Sequence, residues 1–422
     1  MATTAFAMGD YDSAFQKVIQ PYIQDNVPKE AKLLQVLKTN DSVQLFNNNF
    51  YFGVRSNRHG GVVNLANDKA KLRTGSAPTT QGTVGQKLMT ATFDISDVVK
   101  KASTGDKLAV ENALDFQMRS IKNDFVKTVN RQYFSDGVGV LAQVPTSGSV
   151  GAGTLAVIYP DANLDDTRGD ISGWYGPINY DIKPTKYFTV GQAVGIGTAA
   201  ADVGTISSVS GGTAQGTLVV TGAPAINNAD AVYLVDGDEN AAGTSEIQGV
   251  RAALSVGTST TYAGIATSLD IWGVQYMGTA SNGALTINDM DTVYMSALEY
   301  AQEGDRYAWF MNKSLYTKYG ELLTAMRRTV NQTELVSGWT GLKYEAGMGE
   351  VGVYLSYDCP DGEAILLNLD TWTVCQVAPM GFVEDNFLRR SDYITFQKVF
   401  SWYTNLACRC PAANGRMLRR TK

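Results

Sequence analysis

Histidine is almost missing from this chain: His59 stands alone among 422 residues. That scarcity disfavours Ser–His–Asp and Cys–His catalysis, which would have to use His59 as their only base. Cysteine is scarce as well, and late: Cys359, Cys375, Cys408 and Cys410 are the four, none in a CxxC pair. Structural zinc sites usually show closer ligand pairs, often joined by histidines, so these read as buried free thiols with no metal. Charged residues make up 18% of the chain, below the usual quarter. No run approaches the roughly 18 to 20 apolar residues of a membrane span. The start, MATTAFAMGDYDSAF, has neither a basic segment nor an apolar run, and so does not read as a signal peptide. The expectation is a chain made in the cytoplasm. No cofactor motif is present. The GIG at 195–197 lacks the third glycine and the helix of a dinucleotide fingerprint.

Glycine, at 42 residues, and tyrosine, at 21, are plentiful, and hydrophobic residues make up 44%. The length suggests two or three domain-sized units. Abundant Gly, Thr, Val and Tyr with little charge suit strands and turns whose surfaces are covered by neighbours; a loop-rich monomer fits the same composition. The net charge of −6 argues against gripping nucleic-acid phosphates, which takes clustered Lys and Arg.

Along the chain, residues 1–45 are polar, broken by Pro21 and Pro28, with a short helical stretch from Glu30 to Lys38. They read as an arm lying on other surfaces. Residues 46–95 alternate like a strand: Phe50, Phe52 and Val54 face one way, Tyr51 and Gly53 the other. A basic, Gly-rich middle follows, with Arg55, Arg58, Lys69, Lys71 and Arg73, and then a second extended stretch. Such a long hairpin buries too little to stand alone. Phe50, Phe52 and the five basic residues are therefore the candidate contacts to a neighbouring subunit.

Residues 106–135 form the strongest helix. Asp106 is placed to cap it, and Val110, Leu114, Met118, Ile121, Phe125 and Val129 make one apolar stripe. Asp136–Gly137 supplies the stop. The stretch 138–180 reads as loop, and its Asp161, Asp165, Asp166 and Asp170 miss the spacing of an EF-hand, so they are taken as solvated carboxylates. In 181–236 the short pieces KYFTV, QAVGI, GTISSVS, GTLVVTG and DAVYLV alternate with turns and suggest a small inserted barrel. From 246 onward helix and strand alternate: Thr286 and Asp289 resemble a capping box, RYAWFM is a strand, and GVYLS, AILLNL and WTVCQV follow. The class is α+β.

This order of parts resembles the Hong Kong 97-type fold of tailed-bacteriophage major capsid proteins. The resemblance is carried by GVRAALSVGTSTTYAGI, the block ALTINDMDTVYMSALEYAQEGDRYAWFMNKSLYTKYGELLTAMRRT, DCPDGEAILLNLDTWTVCQVAPMGF and SWYTNLACRCPAANGRM. It is strong over about 246–417 and a matter of pattern over 46–137. It implies an N-terminal arm (1–45), an E-loop hairpin (46–95) lying over a neighbour and a P-domain (96–180) with its spine helix. After the inserted small β domain (181–236) it implies an A-domain (246–355), and a C-terminal part (356–422) whose strands at about 363–383 and 393–410 return to the P-domain. The implied role is a shell subunit with no catalytic site, assembling as hexamers and pentamers into an icosahedral head around double-stranded DNA that it contacts weakly. The implied partners are a separate scaffold protein, a portal and decoration proteins. An encapsulin-like compartment shell shares the fold, and a glycosidase built on loop carboxylates is the enzymatic alternative.

Overall fold

A computed structural model describes residues 32–37, 39–40, 45–55, 57, 59–64, 71, 74–96, 107–137, 139–145, 153–159, 179, 181–197, 203–212, 215–222, 230–235, 246–255, 261–267, 272–277, 283–327, 342–346, 349–383, 388–389 and 395–422. The class is α+β, built on one long helix, two large sheets and a closed barrel.

The spine helix runs Lys107–Phe134, and its 28 residues at ~1.5 Å each make a rod of about 42 Å. Its C-terminal half buries the stripe: Phe125 and Val129 lie in the core with Ile121 packed against it. Phe125 meets Phe400 edge-to-face at 4.9 Å, a geometry that aromatic quadrupoles favour. Asp106 and the four loop aspartates at 161–170 lie outside the described residues, as does most of the N-terminal arm.

Phe400 belongs to a 14-residue strand, Thr395–Cys408, around which one six-stranded sheet is organised. Lys87–Ser96, the return arm of the hairpin, pairs antiparallel along one edge over its whole length. Trp372–Gln376, Gly381–Phe382 and Leu388–Arg389 pair with the same strand in turn. Phe400, Trp402 and Thr404 are buried while Ser401 and Tyr403 are not, which is strand periodicity with one face inward; from Thr404 to Cys408 every residue is buried. The indole N–H of Trp402 donates to Gln376 at 2.9 Å, so the buried ring keeps its polar partner.

The second large sheet has the spatial order Gln275–Met277, Gly415–Met417, Ala364–Asn368, Tyr307–Met311, Gly349–Leu355, Leu342–Ala346. Its central strands Tyr307–Met311 and Ala364–Asn368 are buried on both faces. Tyr307, Trp309 and Met311 point into a core shared with Leu315 and Tyr319 of helix Lys313–Arg327 and with Met290 and Val293 of helix Ile287–Leu298. Ala308 and Phe310 point the other way, into the core under the spine helix. Thr286 caps helix Ile287–Leu298, accepting from the Asp289 amide at 3.1 Å. One expectation fails here. Ala364–Asn368 was grouped with the strands returning beside the spine helix, yet it pairs with Tyr307–Met311 in this central sheet. The last residues follow it, Gly415–Met417 pairing with both Ala364–Leu366 and Gln275–Met277. A fully buried pentapeptide, AILLN, fits a strand covered on both sides, and periodicity alone cannot say which sheet.

Between the spine helix and the central sheet in chain order, six antiparallel strands form a small barrel in the spatial order Val140–Gln143, Ala231–Leu234, Ala193–Ile196, Val203–Gly211, Gly216–Thr221, Thr154–Val157. Gln143 and Ile158 exchange backbone hydrogen bonds of 3.1 and 2.8 Å, joining the first and last strands of that order. The barrel has its own interior of Leu155, Val157, Val194, Ile196, Ile206, Leu218, Val220 and Val232. Its strands begin at Val140, earlier than the 181–236 segment that sequence periodicity marks. KYFTV is not one of them: it forms turns, and only Phe188 of that pentapeptide is buried in the barrel core.

Candidate functional site

Of the seven candidate contact residues, the structure describes four: Phe50, Phe52, Arg55 and Lys71. Arg58, Lys69 and Arg73 lie outside the described residues. The hairpin starts at a tight turn, Asn47–Asn48, with φ of 49° and 59°. It joins Leu45–Phe46 to Asn49–Arg55, and such a pair of left-handed residues matches the twist of a two-residue hairpin loop. Asn49–Arg55 then pairs with Thr79–Gly85 from Asn49↔Gly85 to Arg55↔Thr79.

Phe50 and its cross-strand partner Val84 are fully buried in the chain's own core. Phe52 stacks on Trp272, centroids 6.5 Å apart, and Trp272 stacks on Tyr262 at 6.1 Å. The Tyr262 hydroxyl accepts the Cys408 amide at 2.9 Å, and the Thr83 amide donates to Ala263 at 3.0 Å. The hairpin base is thus fixed to the long-strand sheet by a column of rings. Phe50 and Phe52 are intrachain anchors, a reassignment from the contact role that alternation suggested. Gly82 makes the column possible, because a Cβ there would lie 2.6 Å from the Phe52 ring.

Further out, the two arms cross. The Gly60 amide donates to Ser76 at 3.3 Å, and the Gly61 amide donates to His59 Nδ1 at 3.1 Å. A Cβ on Gly75 would meet the Gly61 backbone nitrogen at 2.1 Å, so this crossing admits only glycine. His59 is therefore a loop residue that organises a turn. Arg55 is exposed, its Nε donating to Asn57 O at 3.0 Å; Lys71, Val62 and Val63 are also exposed. The outer hairpin presents cations and two valines to its surroundings.

A second uncovered surface lies on the long-strand sheet. Met89 and Trp402 form a cross-strand pair facing inward; Leu88 and Tyr403, one residue along, form the next pair and face outward. Leu88 is 51% and Tyr403 41% exposed. Val377, whose amide bonds Tyr403 O, and Val383, whose amide bonds Val399 O, are exposed beside them. Apolar residues gathered on one sheet face in this way mark a contact surface.

Among the described residues, two buried glutamates hold ion pairs that sequence reading does not single out. Glu363 receives the Arg416 guanidinium at 3.0 and 2.8 Å, with Arg251 at 3.4 Å. Burial by itself would raise the Glu363 carboxyl, but Arg416 and then Arg251 outweigh it and hold the group below the usual carboxylate range. Arg131, on the spine helix, pairs with Glu246 through both guanidinium arms. A charged residue inside an apolar strand, as in GRM at 415–417, was the available signal. The thiols carry no comparable chemistry. Burial pushes Cys375 up to about 11, and drives Cys359 and Cys408 upward as well, so all three stay protonated and poorly nucleophilic. Among the described residues no three His, Cys, Asp or Glu side chains stand together as metal ligands, and no helix is long and apolar enough to cross a membrane. What the geometry offers is contact surface.

No protein-family pattern matches the chain, and no curated protein matches it either. Solved structures do. A chain of the cyanophage A-1(L) capsid asymmetric unit is 13% identical with a TM-score of 0.55, the match covering 95% of this chain and 96% of that one. The capsid of a native GTA particle is 12% identical over 95% and 94% of the two chains, with a TM-score of 0.48. The capsid of the Myoviridae phage XM1 is 9% identical over 94% of each, with a TM-score of 0.44. The first of these likenesses spans nearly the whole of both chains, so this chain has the Hong Kong 97-type fold.

Proposed function

We propose that this chain is the major capsid protein of a tailed bacteriophage, a non-enzymatic subunit that closes into an icosahedral shell around double-stranded DNA. The observation that carries the proposal is the end-to-end likeness to a phage capsid chain, over 95% of this chain and 96% of that one. The surfaces agree with it. An outer hairpin with exposed cations and an outward sheet face bearing Leu88, Tyr403, Val377 and Val383 have no use in a lone subunit. A net charge of −6 suits a wall that confines DNA while holding it only weakly. In this reading the subunit forms hexamers and pentamers, is built in the host cytoplasm on a separate scaffold protein, and meets a portal and decoration proteins.

The test is assembly. Purified chain, alone and with a candidate scaffold, should elute in the void volume and give closed shells by electron microscopy. A compact monomer under every salt condition, with and without scaffold, would overturn the proposal.

A further inference from the structure

We infer that the barrel is an intrachain strap: it locks the C-terminal end of the spine helix, the 356–361 loop, the start of helix Lys313–Arg327 and the last residues of the chain into one body. A module that merely hangs from its linkers would touch its neighbours through few directional bonds. Here the segment 179–187, which leads from barrel strand Thr154–Val157 to barrel strand Ala193–Ile196, is tied to four separate elements.

Asp181 is the first tie. Its carboxylate accepts the Ser314 amide at 2.8 Å and the Ser314 hydroxyl at 2.5 Å. It thus serves helix Lys313–Arg327 as a cap supplied from 133 residues away, satisfying a first-turn N–H that the helix cannot satisfy itself and placing negative charge at the positive end of its dipole. Asn179 is the second. Its amide donates to Asp361 at 3.0 Å, its side chain donates to Arg420 O at 2.9 Å, and its Oδ1 accepts the Lys422 amide at 3.1 Å. The last residues are held by a residue that connects two barrel strands.

Lys186 and Tyr187 make the third tie, in the stretch that forms turns where strand was expected. The Lys186 ammonium donates to Tyr357 O at 2.7 Å, Asp358 Oδ1 at 2.8 Å and the Tyr187 hydroxyl at 3.2 Å. Its three donors are used. Asp358 in turn accepts Tyr187 at 3.1 Å and, on its other oxygen, Asn130 of the spine helix at 2.7 Å. Arg131, the next residue on that helix, lies 5.6 Å over the Tyr187 ring. Barrel, loop and spine helix therefore meet at one carboxylate. Burial, and then the neighbouring Asp358, push the Tyr187 phenol well up, so it remains a donor.

Hydrogen exchange by mass spectrometry on the full-length, unassembled chain tests this, and it reads the strap whether or not the shell proposal holds. Asp181→Ala should speed exchange of amides 314–317 roughly fivefold to tenfold, the scale of a lost cap. Lys186→Met should do the same in 130–135 and 356–361, whereas Ser207→Ala on the barrel's outer surface should change neither region. Wild-type exchange in these segments in both strap variants overturns the inference, and so does acceleration spread evenly over the chain, which reports global unfolding. Should Asp181→Ala fail to fold, Asp181→Leu removes the acceptor with a side chain of similar size. Faster exchange confined to 314–317 then supports the strap, and unchanged exchange there overturns it.

Discussion

Glu363 accepts from the buried Arg416 and the partly buried Arg251, and replacing it with Gln would remove the carboxylate that both guanidiniums face. Breaking a buried pair from one side costs about 3–5 kcal/mol, so Glu363→Gln should lower the denaturant midpoint sharply. The same carboxylate makes stability depend on pH. Its folded pKa lies below its unfolded value, so its contribution is complete above about 4.3, the unfolded value for Glu, and is lost as pH falls through the folded one. Urea melts between pH 7 and pH 3 should show that loss in wild type and a flatter profile in Glu363→Gln. The thiols give a second check at this scale. Burial raises the pKa of Cys359, Cys408 and Cys410 alike, but Cys410 alone of the four thiols is half-exposed. An aromatic disulfide reagent at pH 8 should label Cys410 first and reach the others only as the chain unfolds. Little of this was legible beforehand. The alternation of Phe50 and Phe52 was, but Trp272, the partner of Phe52, lies more than two hundred residues further on, and a buried face looks the same in sequence whether its cover is the same chain or a neighbour.

Elements were easier to read than residues, for a physical reason: periodicity is local and pairing is not. The stripe from Val110 to Val129 fixes the spine helix to within a residue of its observed ends, Lys107 and Phe134. In the barrel, Val194 with Ile196 and Leu218 with Val220 alternate inward within the short strand-like pieces that suggest it, whereas Leu155 and Val157 sit in a strand inside the stretch 138–180 that reads as loop. The failures come where side chains serve distant partners. KYFTV has the composition of a strand, but Lys186 and Tyr187 are drawn to Asp358 and the segment turns. Gly82 shows how exacting one cross-strand position can be. Gly82→Val would push the Phe52 ring off Trp272, at a cost of about 1–3 kcal/mol for overpacking. The expected result is a lower unfolding midpoint with a changed Trp emission in the folded state, whereas Gly53→Ala, in open space, should leave the emission unchanged.

For the whole molecule, the shell reading turns on which part of the hairpin belongs to the subunit and which to its neighbour. The division falls at the Arg55↔Thr79 pair. On the inner side, Phe50, Val84 and the column from Phe52 through Trp272 to Tyr262 are part of the chain's own core, so a deletion reaching Thr79–Gly85 would damage the fold itself. On the outer side lie Arg55, Lys71, Val62 and Val63, exposed and without core of their own. Replacing residues 57–77 with a short Gly–Ser link should therefore leave the denaturant midpoint of the subunit close to wild type while abolishing stable shells. A single charge swap such as Arg55→Glu should do little, because one exposed pair contributes about 0–1 kcal/mol and a shell sums many. The two outcomes together separate an assembly arm from a decorative loop. Shells of normal stability from the shortened chain would show that the outer hairpin is dispensable, and a shortened chain that no longer folds would show that the subunit's own core extends beyond Arg55 and Thr79.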